Sequence, residues 1–320
     1  MDQHPRPTRP ALRRARRTTA VDTLAILPRD TEPPAEVSWI ADKFELRSVL
    51  ARDERSVTYA ASQVVIDRAV TIKVFGDPSV AGTAHDRIER EARTLARVDH
   101  EHVVRAFELG WLPDGRPYLV LEPLHGERLD ARLARTGPIG IAEAVAITCS
   151  VLAALSAVHR QGVVHRNVRP ASVWLVPRVD GALAPKLAGF DLVKDLASSG
   201  VTGPTEIVGE VAYCAPELLT PHLAPDEQTD VYAAAALLYE LLTGAPPFHS
   251  LGEGSRSTPE LIERVLFDAP SAPSVLRPFV GAALDRVVLR GLAKPRTRRY
   301  PSAAAFAAAL ACCPIPCEPS

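Results

Sequence analysis

The first apolar residues of the chain that follow a regular pattern alternate with polar ones, in the manner of β-strands. Between residues 44 and 75 this period of two predicts several short strands. The apolar positions are Phe44, Leu46, Val57, Tyr59, Val64, Ile66, Val70, Ile72 and Val74. In the last strand, Lys73 lies on the face opposite to these residues, so it is either solvated or directed into a cleft.

The period then changes to that of a helix. Residues 84–98 carry apolar side chains three or four positions apart, which predicts one amphipathic helix with Glu91 at the edge of its apolar face. Two further strands are predicted around 103–109 and 117–122, with a turn at Asp114-Gly115 between them.

Beyond Gly126 the apolar spacing is mainly helical. Helices are predicted over 142–160, 230–242, 258–267, 278–292 and 302–311, and a strand pair over 172–176 and 184–188. Strands with one helix, followed mostly by helices, indicate an α+β protein of two lobes and not the regular alternation of a doubly wound sheet.

Composition excludes several classes of protein. Hydrophobic residues make up 47% of the 320 residues, enough for a sizeable core, and the net charge of −1 argues against a dedicated nucleic-acid binder. The 37 basic residues include only five lysines. No secretory h-region and no run of ~18 apolar residues is found, so we expect no membrane span. Of the five cysteines, three cluster at Cys312, Cys313 and Cys317 with no histidine nearby, which indicates free thiols in a cytoplasmic protein.

Several short segments occur in an order that is informative as a set. They are Val70-Thr71-Ile72-Lys73, Glu91, Tyr118 to Leu124, His165-Arg166-Asn167-Val168-Arg169-Pro170-Ala171-Ser172, Gly189-Phe190-Asp191, Ala215-Pro216-Glu217, Asp230-Val231-Tyr232 and Arg299. This ordered set, over residues 44–308, resembles the eukaryotic-type Ser/Thr protein kinases found in bacteria.

The resemblance implies a two-lobed protein kinase-like fold, with a small β-rich N-lobe that has one main helix and a larger α-helical C-lobe. The implied domains are a disordered Arg/Pro-rich tail over 1–40, an N-lobe over 41–121, a C-lobe over 122–311 and a C-terminal tail over 312–320. The basic stretch at 13–19 can also be read as a phospho-acceptor segment.

The resemblance also implies a role for individual residues. Lys73, held by Glu91, would bind nucleotide phosphates, and Glu122 and Leu124 would line the nucleotide site at the hinge between the lobes. The residues that resemble structural positions of the family are His165, Phe190, Glu217, Asp230 and Arg299.

The residues that carry the family's chemistry are replaced. Asn167 stands where the catalytic aspartate belongs, and Arg169 replaces a lysine two residues later. Ser172 and Gly189 replace the two metal ligands. In the family, three glycines allow one loop to approach the phosphates closely. In this chain those three positions are Ala51, Asp53 and Ser56. Trp174 and Thr71 stand where smaller residues usually contact adenine.

These replacements predict a catalytically impaired pseudokinase that acts as a scaffold or allosteric partner in Ser/Thr phosphorylation signalling. An alternative is a residually active ATP-dependent kinase that uses a displaced metal ligand, Asp191, together with Arg169. A transferase for small molecules has no specific support. We expect ATP binding to be weak or absent, leave the use of Mg open, and expect protein partners such as an active kinase or its substrates.

Overall fold

The computed structural model describes residues 39–52, 56–76, 88–90, 92–190, 211–248 and 257–315. These residues form a small lobe built on an antiparallel sheet and a larger helical lobe. The predicted α+β architecture of two lobes is confirmed.

The N-lobe is a six-stranded antiparallel sheet in the order β1-β2-β3-β4-β6-β5. Its strands are β1 (Trp39–Ile40), β2 (Phe44–Arg52), β3 (Ser56–Gln63), β4 (Arg68–Phe75), β5 (Ala106–Trp111) and β6 (Pro117–Leu121). Helical residues at 88–90 and 92–95 cover part of it and bury Ile88 and Leu95 completely. The short β1 was not predicted, and it starts before the expected beginning of structure near Phe44.

The prediction that Val64 and Ile66 belong to a strand is wrong. Residues Val64–Ile66 form a turn of 3₁₀-helix between β3 and β4, and all three side chains are exposed. The chain reverses here because Asp67 takes up the left-handed backbone region, with φ of 48°. Three consecutive apolar residues match a period of two by coincidence, so the pattern could not distinguish this turn from a strand.

The C-lobe begins with a small hairpin sheet and is otherwise helical. Its strands are β7 (Glu127–Arg128), β8 (Val173–Pro177) and β9 (Leu183–Leu187). Its helices are α1 (Leu129–Thr136), α2 (Ile141–His159), α3 (Glu227–Thr243), α4 (Thr258–Phe267), α5 (Pro273–Leu276), α6 (Gly281–Gly291) and α7 (Ala303–Ala311). The predicted helices over 142–160, 230–242, 258–267, 278–292 and 302–311 are confirmed to within a few residues. The helix α1 was not predicted individually.

The central helices α2 and α3 form the core of the C-lobe. Asp226 caps the start of α3 by accepting a hydrogen bond from Gln228 N at 2.9 Å, and Gly244, with φ of 85°, ends it. Helix α2 is long and apolar enough to cross a membrane by length and composition. However, most of it is buried inside the lobe, as expected for a core helix.

Two hydrophobic cores lie on opposite faces of the N-lobe sheet. Val70, Ile72 and Val74 of β4 point into an N-lobe core with Phe44 and Tyr118. The other core is larger and contains residues of both lobes, which we call the main core. The predicted common face of Val70, Ile72 and Val74 is confirmed, and Lys73 therefore points to the cleft side of the sheet.

Candidate functional site

A buried carboxylate at the start of α3 organises the loop that contains Asn167. Asp230 is fully buried and accepts hydrogen bonds from three groups: His165 N and Arg166 N, each at 2.8 Å, and His159 Nε2 at 2.7 Å. These bonds hold Arg166 in the left-handed region, with φ of 64°. The loop thus has one defined conformation, with Asn167 N 3.2 Å from His165 Nδ1.

His165 links this loop to the segment that contains Gly189. Its ring is buried, with Nε2 3.0 Å from Ala188 O, and it packs on the ring of Phe190 at a centroid distance of 4.4 Å. Phe190 is itself only 4% exposed. The structure therefore brings together His165, Phe190 and Asp230, three residues that the sequence suggested as structural.

The two positions predicted to have lost metal ligands are neighbours in space. A Cβ atom placed on Gly189, whose φ is 76°, would lie 3.4 Å from Ser172 Cβ. The Ser172 hydroxyl does not point outward, because it donates to Arg169 O at 2.7 Å and accepts from Arg169 N at 3.0 Å. At this point the structure therefore has no carboxylate, and one of the two lone pairs of the Ser172 hydroxyl is already used by Arg169 N. Asp191, the alternative metal ligand, lies outside the described residues.

The phosphate end of the cleft is only partly described. Lys73 is half-buried on β4, and its Nζ lies 5.1 Å from the centre of the Phe75 ring. Glu91, its predicted partner, lies outside the described residues, so this ion pair stays a prediction. Of the three loop positions, Ala51 is exposed near the end of β2, Ser56 is buried at the start of β3, and Asp53 is not described.

The hinge end of the cleft has polar groups that are already engaged. Glu122 Oε1 accepts a hydrogen bond from Arg105 N at 2.9 Å and forms an ion pair with Lys186 Nζ at 2.5 Å. Leu124 and Trp174 are half-buried and pack against the main core. Oε1 of Glu122 is thus engaged by the protein itself, and the role of Glu122 in nucleotide binding stays a prediction.

Two of the residues predicted as structural, Glu217 and Arg299, form a pair in the C-lobe. Arg299 makes a two-pronged ion pair with Glu217, with N–O distances of 2.7 and 2.8 Å, and both side chains are almost completely buried. Burial alone would raise the pKa of Glu217, but the hydrogen bonds and charge of Arg299 outweigh it and lower that pKa below its ordinary value. This pair fixes Pro216–Leu218 against α3.

Sequence reasoning missed a second polar cluster, beside the Asn167 loop. Tyr213 donates a short hydrogen bond to Glu240 of α3, at a cleft of ≈ 340 Å³ that is also lined by Asp130 and Arg169. Burial and the nearby Asp130 raise the pKa of Glu240 to about 7, despite the opposing effect of the Tyr213 hydroxyl. The signal in the sequence was one acidic residue in the otherwise apolar second half of α3.

Replacing Glu240 with glutamine is expected to change how stability depends on pH. The pKa of Glu240 in the folded protein lies above the ordinary value of 4.5, so its contribution is fully present below pH 4.5 and is lost as the pH rises through about 7. The variant should therefore gain stability relative to wild type, by up to ~2 kcal/mol at pH 8, and much less at pH 5.

Urea unfolding of both proteins at the two pH values measures this difference. Tyr213→Phe removes the hydrogen bond that favours the charged form of Glu240, so the pKa of Glu240 should rise further. In this variant the stabilising contribution of Glu240 should therefore be lost at a higher pH than in wild type. Equal gains for Glu240→Gln at pH 5 and pH 8 would contradict the assignment.

Among the described residues, no group of three or more His, Cys, Asp or Glu side chains is arranged to hold a metal ion. The four described cysteines, Cys149, Cys214, Cys312 and Cys313, are free thiols.

Comparison with known proteins identifies the family. A family model described as the protein kinase domain matches residues 45–275. The serine/threonine-protein kinases PknH of Mycobacterium bovis and PknL of Mycobacterium tuberculosis are each 34% identical to this chain, over 83% and 88% of its length. The chain spans 43% of PknH and 68% of PknL.

Solved structures agree with the sequence relatives. The kinase domain of Mycobacterium tuberculosis PknI superposes with a TM-score of 0.66 at 25% identity, over 87% of this chain and 99% of that domain. Given this match and the ordered segments described above, the chain belongs to the protein kinase domain family, among the eukaryotic-type serine/threonine kinases of bacteria.

Proposed function

We propose that this protein is a pseudokinase, a protein kinase domain that has lost phosphoryl transfer and acts through binding. Its role would be that of a scaffold, or of an allosteric partner of an active serine/threonine kinase. The observation that carries the proposal is the proximity of Gly189 and Ser172, because these two positions that resemble metal-ligand positions lie side by side without a carboxylate.

The packing of Phe190 on His165 supports this alignment of the segment. If the buried Phe190 beside His165 is the phenylalanine of the family's motif, the residue directly before it, Gly189, stands where the metal carboxylate belongs. A shift that makes Asp191 the ligand would have to move Leu192 into the place of Phe190. The contact therefore favours the loss of the ligand over its displacement.

Asn167 removes a second requirement of the reaction. The acceptor hydroxyl must be oriented by a group that can take up its proton, and an amide has no such capacity at neutral pH. The loop around Asn167 nevertheless keeps a defined conformation through Asp230. Because the loop conformation is retained while its reactive group is replaced, a binding role is favoured over catalysis.

The described residues at the two metal-ligand positions do not fit a magnesium-nucleotide complex. Mg²⁺ prefers carboxylate oxygens together with phosphates, but Gly189 has no side chain and the Ser172 hydroxyl is used within its own turn. We therefore propose weak or absent ATP binding that Mg²⁺ does not strengthen. We also propose protein partners and a cytoplasmic location.

Phosphate transfer from labelled ATP, with Mg²⁺ or Mn²⁺, is the decisive measurement. We expect incorporation into the protein itself and into a generic acceptor protein to equal that of Lys73→Ala, which lacks the phosphate-binding amine. Incorporation that disappears in Lys73→Ala would overturn the proposal. In that case Asp191→Ala decides the alternative: a loss of activity would identify a displaced metal ligand.

The same samples give a second readout in the melting temperature. Binding to the folded state alone raises stability by RT ln(1 + [L]/Kd). We expect ATP to leave the melting temperature unchanged, with and without Mg²⁺. A rise that requires both ATP and Mg²⁺ would contradict the proposed loss of the metal site.

A further inference from the structure

We propose that the N-lobe end of this protein binds the surface of a membrane that contains anionic phospholipids. Two parts of the chain act together: the exposed turn Val64–Ile66, which we call the apolar turn, and the arginines of residues 6–17, which we call the basic tail. The protein would lie on the membrane and not span it. The proposal goes beyond the loss of catalysis and does not depend on it, because it involves no residue of the cleft.

The apolar turn protrudes from the sheet between β3 and β4. Its side chains, Val64, Val65 and Ile66, are 46%, 83% and 59% exposed, and they lie outside both hydrophobic cores of the sheet. Adjacent apolar side chains that are exposed together mark a surface that contacts a protein or a membrane. A protruding turn needs a complementary pocket in a protein partner, but it can enter the headgroup region of a bilayer without one.

The basic tail supplies the positive charge that an anionic surface attracts. Residues 1–20 contain six arginines and one aspartate, a charge of +5, whereas the whole chain has a charge of −1. The arginines are Arg6, Arg9, Arg13, Arg14, Arg16 and Arg17. A guanidinium group binds phosphate oxygens in a two-pronged geometry. Near an anionic bilayer, each basic residue strengthens binding about fivefold.

The described chain begins close to the apolar turn. Trp39, the first described residue, pairs with Glu45 of β2, which pairs with Ser62 of β3, so the chain enters the sheet about 10 Å from the strand that leads into the turn. Val64 N also donates to Lys43 O at 3.0 Å, which joins the turn after β1 to the apolar turn. The 21 residues between the basic tail and Trp39 are long enough for the tail and the turn to reach one membrane surface.

The character of the apolar turn favours a bilayer over a nucleic acid. Nucleic acids are bound by basic grooves and by aromatic side chains on which bases stack, but the side chains of this turn are aliphatic. The exposed charges next to the turn cancel, since they are those of Asp42, Lys43, Asp67 and Arg68. A bilayer of anionic lipids offers phosphates to the basic tail and an apolar interior to the turn, so it matches both parts.

Flotation of the full chain with lipid vesicles tests the proposal. We expect binding to vesicles of phosphatidylcholine and phosphatidylglycerol in equal parts, and roughly tenfold weaker binding to phosphatidylcholine alone or in ~0.5 M NaCl. Val65→Ser/Ile66→Ser should weaken binding to the anionic vesicles roughly tenfold, because the apolar contact is lost. Replacing the four arginines at 13, 14, 16 and 17 with glutamine should weaken it by at least as much.

Val179→Ser is the matched control, because Val179 is a fully exposed valine in the turn between β8 and β9 of the C-lobe. It should leave vesicle binding unchanged, and all variants should keep the wild-type melting temperature, since the replaced side chains of the described residues are exposed.

The proposal is overturned if wild type does not bind the anionic vesicles, or if either the turn variant or the tail variant binds them as wild type does. Light scattering and titration with polyuridylate identify the other occupants. A dimer that Val65→Ser/Ile66→Ser dissociates, without vesicle binding, would assign the apolar turn to an interface between copies of this chain. Binding of polyuridylate without vesicle binding would assign the basic tail to nucleic acid.

Discussion

Replacing Asp230 with asparagine is expected to remove about 3–5 kcal/mol from the free energy of unfolding. The carboxylate is completely buried and accepts three hydrogen bonds, two of them from backbone amides of the Asn167 loop. An asparagine has only one oxygen, so its NH₂ group would face at least one N–H donor. Urea unfolding at neutral pH measures the loss.

Glu227→Gln is the matched control for this prediction. Glu227 lies in the first turn of the same helix and also approaches His159, at 3.9 Å, but its side chain is 49% exposed. Its replacement should cost less than ~1 kcal/mol. A similar small loss for Asp230→Asn would show that the Asn167 loop does not depend on this carboxylate.

Asp230 holds the loop around Asn167 in a backbone conformation that is unfavourable by itself. Arg166 has a φ of 64°, a backbone conformation that costs about 1–2 kcal/mol for a residue other than glycine and persists only where surrounding contacts impose it. Asp230 imposes it in a loop whose reactive position is now Asn167. The physical scaffold of a kinase loop is thus retained although the group that it would position is absent.

The sequence pattern predicted the elements whose periodicity reflects burial. Val70, Ile72 and Val74 enter one core together, and Gly244 ends α3 where its backbone freedom is needed. The order of the motifs predicts structural roles for His165, Phe190 and Asp230, and these three residues lie together in the structure. Each of these residues carries a local signal, either a period or a fixed spacing within a motif.

Contacts between distant segments could not be predicted in the same way. Glu122 and Lys186 are 64 residues apart, and nothing near either residue indicates its partner. Tyr213 and Glu240 likewise pair across 27 residues. Such pairs depend on how the lobes and helices pack, which a period of apolar residues constrains only loosely.

Three of the four described lysines make polar contacts through their ammonium groups. Lys43 and Lys186 each pair with a glutamate, and Lys294 donates to the carbonyl oxygens of Arg264 and Val265 at the end of α4. Burial lowers the pKa of Lys294 to about 8. At the partly buried Lys294, a compact ammonium group reaches both carbonyl oxygens as a point donor, which a planar guanidinium fork does not do in the same way. Lys73 is the fourth described lysine, and it lies on the face of β4 opposite to the N-lobe core.

Replacing Arg299 with methionine is the second change expected to have a large effect, a loss of about 3–5 kcal/mol in the free energy of unfolding. The guanidinium binds both oxygens of Glu217 and also donates to three backbone carbonyl oxygens, those of Gln228, Ala293 and Lys294. Methionine fills much of the volume but leaves the buried carboxylate with only Arg296, whose Nε lies 3.4 Å from Glu217 Oε1, as a counter-charge. Breaking a buried pair at one end is costly for this reason.

The dependence on pH and a double variant distinguish the ion pair from simple packing. In wild type the lowered pKa of Glu217 means that its stabilising contribution is present above pH 4.5 and is lost as the pH falls. In Arg299→Met burial remains and only Arg296, which pairs with one oxygen, opposes it, so the pKa of Glu217 should rise above its ordinary value. The deficit should therefore be smaller at pH 5 than at pH 8. Arg299→Met/Glu217→Leu should recover part of the loss, because no charge remains buried. Arg132→Met, at an arginine that is 22% exposed and pairs with the exposed Glu143 at 3.1 Å, is the control, with an expected loss of ~1 kcal/mol. A deficit independent of pH, together with no recovery in the double variant, would mean that Arg299 acts through its packing and its backbone contacts and not through the charge of Glu217.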